Sequence, residues 1–263
     1  MKKLFFIGAG KMASAIAGGL TASGKFSGGE LGAFDPDQKS AEAFQKASGV
    51  SVDTNSPECG INESSALLLA VKPQVIASLA VYRDLMKDKL IISIAAGISI
   101  DKLKEITGSS RIIRVMPNTP ALVGEGMILY DCLDVSPEME KAFLHAFSGA
   151  GKLDKIPEEK IDAASALSGC GPAFVYAFAE ALADGAVECG VPRDKASEYA
   201  AQTLYGAAKM LLTYGHPADL KDAVCSPGGT TIAGIHALEH AGFRGATMDA
   251  ITAAYKRTLE LKK

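Results

Sequence analysis

The chain has 263 residues, 48% hydrophobic and 22% charged, which excludes a disordered tail or a coiled coil and allows one large domain or two ordinary ones. Lys and Arg number 27 against 30 Asp and Glu, a net charge of −3, so no basic stripe awaits a phosphate backbone and no nucleic-acid partner is expected. Five scattered cysteines (Cys59, Cys132, Cys170, Cys189, Cys225) form no C-x-x-C pair, which argues against a disulfide framework or a zinc site and for a reducing cytoplasm.

Lys2-Lys3 before Leu4-Phe5-Phe6-Ile7 imitates the start of a signal peptide, but Lys11 ends the apolar stretch too early. The longest uncharged run, residues 163–179, contains Gly169, Gly171 and Pro172 and falls short of about 20 apolar residues. A soluble protein with no membrane partner is expected.

In chain order, residues 4–7, 31–34, 67–71, 90–95 and 111–116 each read as a buried strand, brief and rich in Ile, Leu, Val and Phe. Helix-like segments 12–22 and 38–47 lie between them, residues 126–130 suggest a further strand, and 137–147 a helix. Such alternation implies parallel strands joined by crossovers, a Rossmann-type, doubly wound α/β sheet over residues 1–157. After Pro157 the strand signal stops. Residues 158–167, 172–189, 192–214, 218–224, 230–240 and 246–261 read as helices, with Pro172 and Pro192 in first-turn positions and Gly190 and Gly215 as stops. Residues 158–263 thus form an all-helical second domain, which either packs on the first or also makes a dimer seam.

Ile7-Gly8-Ala9-Gly10-Lys11-Met12-Ala13 closes the first strand and opens the first helix as G-x-G-x-x-A. Gly8 permits the tight turn, Gly10 admits a pyrophosphate to the backbone, and Ala13 lets the helix lie close to the strand. The bare N–H groups and positive end of that helix suit the phosphates. Asp35 follows the second strand, where an acid binds the adenosine ribose diol and disfavours a 2′-phosphate; Asp35-Pro36 is equally good turn chemistry. The choice between NADH and NADPH stays open. Ala70-Val71-Lys72-Pro73, Ala95-Ala96-Gly97 and Met116-Pro117-Asn118 end later strands on the edge where open sheets hold ligands. Lys72 reads either as a proton donor or as a surface lysine.

In the helical half, Cys225-Ser226-Pro227-Gly228-Gly229-Thr230-Thr231 precedes a helix. Free amides and hydroxyls there can grip a carboxylate without a cation; an ordinary Ser/Thr-capped helix would look the same. Ser168-Gly169-Cys170-Gly171-Pro172 is another tight turn, and Cys170 has no evident base to make it a nucleophile. His236-Ala237-Leu238-Glu239-His240 matches the H-x-x-E-H zinc pattern, yet lies in an ordinary amphipathic segment, and no metal is expected.

Taken together, these turns resemble the pyrroline-5-carboxylate reductases, which catalyse the last step of proline synthesis. The likeness runs from Phe6-Ile7-Gly8-Ala9-Gly10 through Ala70-Val71-Lys72-Pro73-Gln74, Met116-Pro117-Asn118-Thr119-Pro120 and Ser168-Gly169-Cys170-Gly171-Pro172-Ala173-Phe174 to Ser226-Pro227-Gly228-Gly229-Thr230-Thr231. The last block is the most specific. The resemblance implies an N-terminal dinucleotide domain, a helical substrate-binding and dimerisation domain, active sites where the two meet, and homodimers that often assemble into decamers. It implies an oxidoreductase acting on a C–N bond, with NADPH or NADH reducing 1-pyrroline-5-carboxylate. Ile7, Gly8, Ala9, Gly10, Lys11, Met12, Asn55, Ala70, Val71, Lys72, Pro73, Ala95, Ala96 and Gly97 would then surround the cofactor. Ser226, Gly229, Thr230 and Thr231 would hold substrate, with the Thr231 hydroxyl at the ring nitrogen. Lys11 and Cys170 depart from the usual neutral or arginine residue and the frequent serine. Two rivals are a β-hydroxyacid dehydrogenase-like reductase, which needs a motif-supported lysine that Lys209 and Lys221 do not supply, and a non-catalytic dinucleotide-binding redox sensor.

Overall fold

The computed structural model describes residues 2–24, 26–27 and 29–261; Met1 and residues 262–263, which the expected domain bounds include, lie outside the described residues. Eight strands make one sheet: β1 (Lys2–Ile7), β2 (Leu31–Phe34), β3 (Val52–Asp53), β4 (Ser64–Leu69), β5 (Leu90–Ser93), β6 (Ile112–Met116), β7 (Gly126–Leu133) and β8 (Gly151–Lys155). Their order is β3-β2-β1-β4-β5-β6-β7-β8. The first six run parallel, and the order reverses beside β1, which is where doubly wound sheets hold nucleotides.

The sheet is mixed rather than purely parallel. β7 runs antiparallel to β6 because only the short 3₁₀ turn Thr119–Val123 joins them, too little chain for a crossover. β8 escapes the sequence reading because it is a short edge strand, Gly-Lys-Leu-Asp-Lys, with charged residues where a buried strand would be apolar.

Helices in the order of the chain are α1 (Lys11–Ala22), α2 (Gln38–Ser48), α3 (Glu58–Glu63), α4 (Pro73–Ile76), α5 (Arg83–Met86), α6 (Ile100–Thr107), α7 (Pro137–Phe147), α8 (Glu158–Ser168), α9 (Gly171–Glu188), α10 (Arg193–Tyr214), α11 (Pro217–Ala223), α12 (Thr230–His240) and α13 (Phe243–Leu261). Alternation along the strands feeds two cores. Leu4 and Phe6 of β1 join Leu68, Ile92 and Ile113 on one face, while Phe5 and Ile7 join Leu67, Leu69, Ile91 and Ile112 on the other.

The chain forms two compact units, one running up to Gly169 and regaining the chain from Tyr255, the other Cys170–Ala254. The first compact unit extends past the change of texture near Pro157, to Gly169. Helix α8 stays with the sheet because the buried Arg114 of β6 pairs with Glu158 and Asp162, each at 2.8 Å.

The second unit has a small buried cluster, Ala183, Ala196 and Ala200, and a Phe178–Phe243 ring contact at 5.7 Å. Tyr176, Tyr199, Tyr205, Leu211, Leu212 and Tyr214 are exposed. So much bare apolar surface marks an interaction face. The same composition lets Glu158–Glu188 pass for a membrane-crossing helix by length and mean hydropathy, 1.3. That stretch is two helices, α8 and α9, and it carries Glu158 and Asp162 paired to Arg114.

Candidate active site

The carboxyl ends of β1, β2, β4 and β5 fall in one row, with Ile7 in register with Phe34 and Leu69, and Leu69 with Ser93. Ile7 ends β1 and Gly8 to Met12 lead into α1, while Asp35, Ala70 to Pro73, Ala95 to Gly97 and Asn118 follow β2, β4, β5 and β6, and Asn55 follows β3. Gly8 has φ +104°, and a Cβ there would lie 2.7 Å from the Ala70 carbonyl oxygen, so only glycine lets the turn press against the end of β4. Gly10 is the N-cap of α1 in extended backbone, no side chain caps that helix, and a Cβ on Gly10 would meet nothing within 4 Å. No side-chain cap competes for the first-turn N–H groups of α1, the arrangement that receives a pyrophosphate. Ile7, Ala9 and Ala13 are buried beneath the turn, Met12 packs on the core, and Lys11 projects into solvent.

Asp35 is tied to that turn. Its Oδ2 accepts the Ala9 N–H at 2.7 Å and its Oδ1 the Asp37 N–H at 2.9 Å. It thus serves the Asp-Pro turn and touches the phosphate loop at once. Asp37 caps α2 by accepting the Ser40 N–H and hydroxyl, and the Ser40 hydroxyl, then its N–H, hold its carboxyl below the ordinary range. Asn55 is exposed, its N–H donates to Asp53 Oδ1 at 2.8 Å, and it lines a recess of about 420 Å³ with Ala33, Asp53 and Thr54.

Ala70 and Val71 lie just past β4, Lys72 is exposed at the N-cap of α4, and Pro73 takes its first position. Ala95 is buried, Ala96 exposed, and Gly97 turns at φ +75°. Asn118 is buried, and its amide donates to the Ser168 carbonyl at 2.9 Å while its side-chain oxygen accepts the Met127 N–H at 3.0 Å. Much of its hydrogen bonding holds the β6–β7 turn to the end of α8. Two supporting residues lie outside the expected site set: Ser93, whose hydroxyl accepts the Ala95 N–H, and Asp53, whose carboxylate shapes the Asn55 turn. A polar residue closing an apolar strand was the only available sign of either.

In the second unit, Gly228 turns at φ +70° and the Gly229 N–H donates to the Ser226 carbonyl at 3.0 Å. A Cβ on Gly229 would collide with the Ser226 hydroxyl. Gly229 is itself the N-cap of α12, without a side-chain cap, so the helix begins with bare amides and the exposed hydroxyls of Thr230 and Thr231. That is an anion grip free of side-chain charge. His236 and His240 are exposed on α12, and among the described residues no three His, Cys, Asp or Glu side chains cluster as a metal would require.

A mixed, mostly parallel sheet with an uncapped glycine turn at its switch point, followed by a helical unit with a large bare apolar face, is the build of a two-part dinucleotide-dependent oxidoreductase. A family model described as "NADP oxidoreductase coenzyme F420-dependent" matches residues 3–97, and one described as "Pyrroline-5-carboxylate reductase dimerisation" matches residues 158–261. The pyrroline-5-carboxylate reductase of Arabidopsis thaliana is 43% identical over 99% of this chain and 96% of its own length. That of Escherichia coli is 41% identical over 100% and 99%. The crystal structure of Plasmodium falciparum pyrroline carboxylate reductase with NADP bound superposes with a TM-score of 0.90 at 34% identity, covering 100% of this chain and 98% of that one. The chain belongs to the pyrroline-5-carboxylate reductase family. With a 3-hydroxyisobutyrate dehydrogenase of Mycobacterium tuberculosis it shares only the fold, at a TM-score of 0.53 and 13% identity.

Proposed function

We propose that the chain reduces 1-pyrroline-5-carboxylate to L-proline with NAD(P)H, as an oxidoreductase acting on a C–N bond. The observation that carries the reading is the full-length match to these reductases, 41–43% identical, in a chain where both glycine turns open uncapped helices.

The residues divide the work. Gly8, Ala9, Gly10, Lys11 and Met12 bring backbone amides to the pyrophosphate, above Ile7. Asp35 and Asn55 take the adenosine end. Ala70, Val71, Lys72 and Pro73, with Ala95, Ala96, Gly97 and Asn118, form the wall beside the nicotinamide, small where the backbone must come close. When bound, the reduced nicotinamide supplies a hydride from C4 to the imine carbon. Ser226, Gly229, Thr230 and the first amides of α12 hold the substrate carboxylate. The Thr231 hydroxyl fixes the ring nitrogen and its proton. A protonated imine is electrophile enough that orientation and preorganised polarity suffice, without a protein nucleophile.

Functionally, residues 1–157 carry the dinucleotide and residues 158–263 the substrate and the partner subunit. The bare apolar face of the second unit supports a homodimer, which in this reading assembles further, up to a decamer, in the cytoplasm. Steady-state oxidation of NADH and of NADPH by the purified protein with 1-pyrroline-5-carboxylate tests the function. Formation of proline is expected. Stoichiometric nucleotide binding with no turnover would favour the redox sensor instead.

A further inference from the structure

The loop after β2 is rich in carboxylates. Asp35 is fixed on three sides: its N–H donates to the Asp53 carbonyl at 3.1 Å, and its two carboxylate oxygens accept the N–H groups of Ala9 and Asp37. Ala9 is the middle residue of the Gly8-Ala9-Gly10 turn, so the carboxylate is bonded to the phosphate loop itself. In doubly wound sheets an acid closing the second strand meets the adenosine ribose of a dinucleotide held by such a loop. A carboxylate has about four acceptor positions and two are filled, which leaves lone pairs for the donors of a ribose diol.

A 2′-phosphate would find the opposite. It needs donors or cations, and residues 35–38 are Asp-Pro-Asp-Gln. Pro36 has no N–H, and the Asp37 N–H is already given to Asp35. The N-terminus of α2 is the natural anion site of this loop, but the Asp37 carboxylate occupies it, bonded to both the N–H and the hydroxyl of Ser40. Asp53 adds a third carboxylate at the end of β3, committed to the Asn55 and Ser56 N–H groups. The nearest cation along the loop, Lys39, is exposed on the first turn of α2.

We infer that Asp35 selects NADH over NADPH in this chain, by accepting the ribose hydroxyls and, with Asp37, repelling a 2′-phosphate. This rests on the reading that the glycine turn carries the dinucleotide. The test compares kcat/KM for NADH and NADPH with 1-pyrroline-5-carboxylate, and calorimetric binding of NAD⁺ and NADP⁺, in the native protein, Asp35→Asn and Asp37→Ser. The native protein is expected to favour the nucleotide without the phosphate by about tenfold or more, a ratio that shrinks as salt is added. Asp35→Asn keeps an oxygen for the Ala9 N–H but loses the charge, and should cut the preference by about tenfold, chiefly through KM for NADPH. Asp37→Ser keeps a capping oxygen and reads the same effect should Asp35→Asn fail to fold. Equal efficiency with both nucleotides, a native preference for NADPH, or binding of neither overturns the inference. Tighter binding of NAD⁺ than NADP⁺ without turnover of the imine would uphold it and sink the proposed reaction instead.

Discussion

Arg114 of β6 and Asp162 of α8 meet at 2.8 Å with only 3% and 8% of their side chains exposed. The other guanidinium nitrogen reaches Glu158, whose Oε1 also accepts the Ile100 N–H, while the Glu158 N–H donates to Asp131. A charged network this deep exists only because every member has partners. It pins the first helix after Pro157 to the sheet. Removing Asp162 leaves the buried guanidinium with Glu158 alone and one nitrogen without its acceptor, so Asp162→Ala should lower the unfolding free energy by about 1–3 kcal/mol. Urea denaturation would read it, and a loss below about 1 kcal/mol would reduce the pair to a surface-like contact.

Gly8 carries a sharper constraint. At φ +104°, with the Ala70 carbonyl where a Cβ would go, Gly8→Ala must either strain or push the turn off β4. Strain of that kind costs about 1–3 kcal/mol. The displaced amides should weaken nucleotide binding by at least about tenfold, which fluorescence titration of the reduced nicotinamide would measure. Gly10→Ala is the control, because open space lies where its Cβ would go and its backbone is extended. Its fold should survive, leaving only the cofactor to object.

What the sequence made legible was local. The glycine turn could be read because its demand is steric and confined to residues 7–13. Strands β1, β2, β4, β5 and β6 could be read because both faces of each are apolar. β8 could not, since an edge strand of Lys-Leu-Asp-Lys type looks like a loop, and the direction of β7 depends on how little chain joins it to β6. Helix α6 did leave signals, the Ser99 cap and Gly108 in the left-handed region, but at eight residues its period is short. The bond of Asp35 to Ala9 and those of Arg114 to Glu158 and Asp162 were invisible. They span 26 and 44 to 48 residues of chain, and only the folded sheet brings their ends together.

Tyr130 on β7 donates to Glu140 at 2.9 Å, and Lys155 of β8 reaches the same carboxylate at 3.0 Å. Burial first, and then the bond to Glu140, push the Tyr130 hydroxyl from 10.0 up to about 12. Lys155 is raised too, chiefly by its hydrogen bond to Glu140. A group whose folded value lies above its unfolded one contributes fully below the unfolded value and loses that contribution as pH climbs through the folded one. Stability should therefore fall between about pH 10 and about pH 12. Tyr130→Phe should flatten part of that fall, seen in urea midpoints across the range; an unchanged alkaline slope would remove Tyr130 as its source.

Thr231 offers the cleanest separation of chemistry from folding. It is exposed at the start of α12, with Gly229 and not a threonine in the capping position, so its hydroxyl is not needed to start the helix. Thr231→Ala should leave the melting temperature nearly unchanged while lowering kcat/KM for the imine by about ten- to a hundredfold. Thr231→Ser, which keeps a hydroxyl on the same carbon, should recover most of the loss. If the hydroxyl orients the ring nitrogen in the transition state, the deficit of Thr231→Ala appears in kcat as well as kcat/KM. A deficit confined to KM would assign Thr231 to the carboxylate grip and leave the nitrogen to another group.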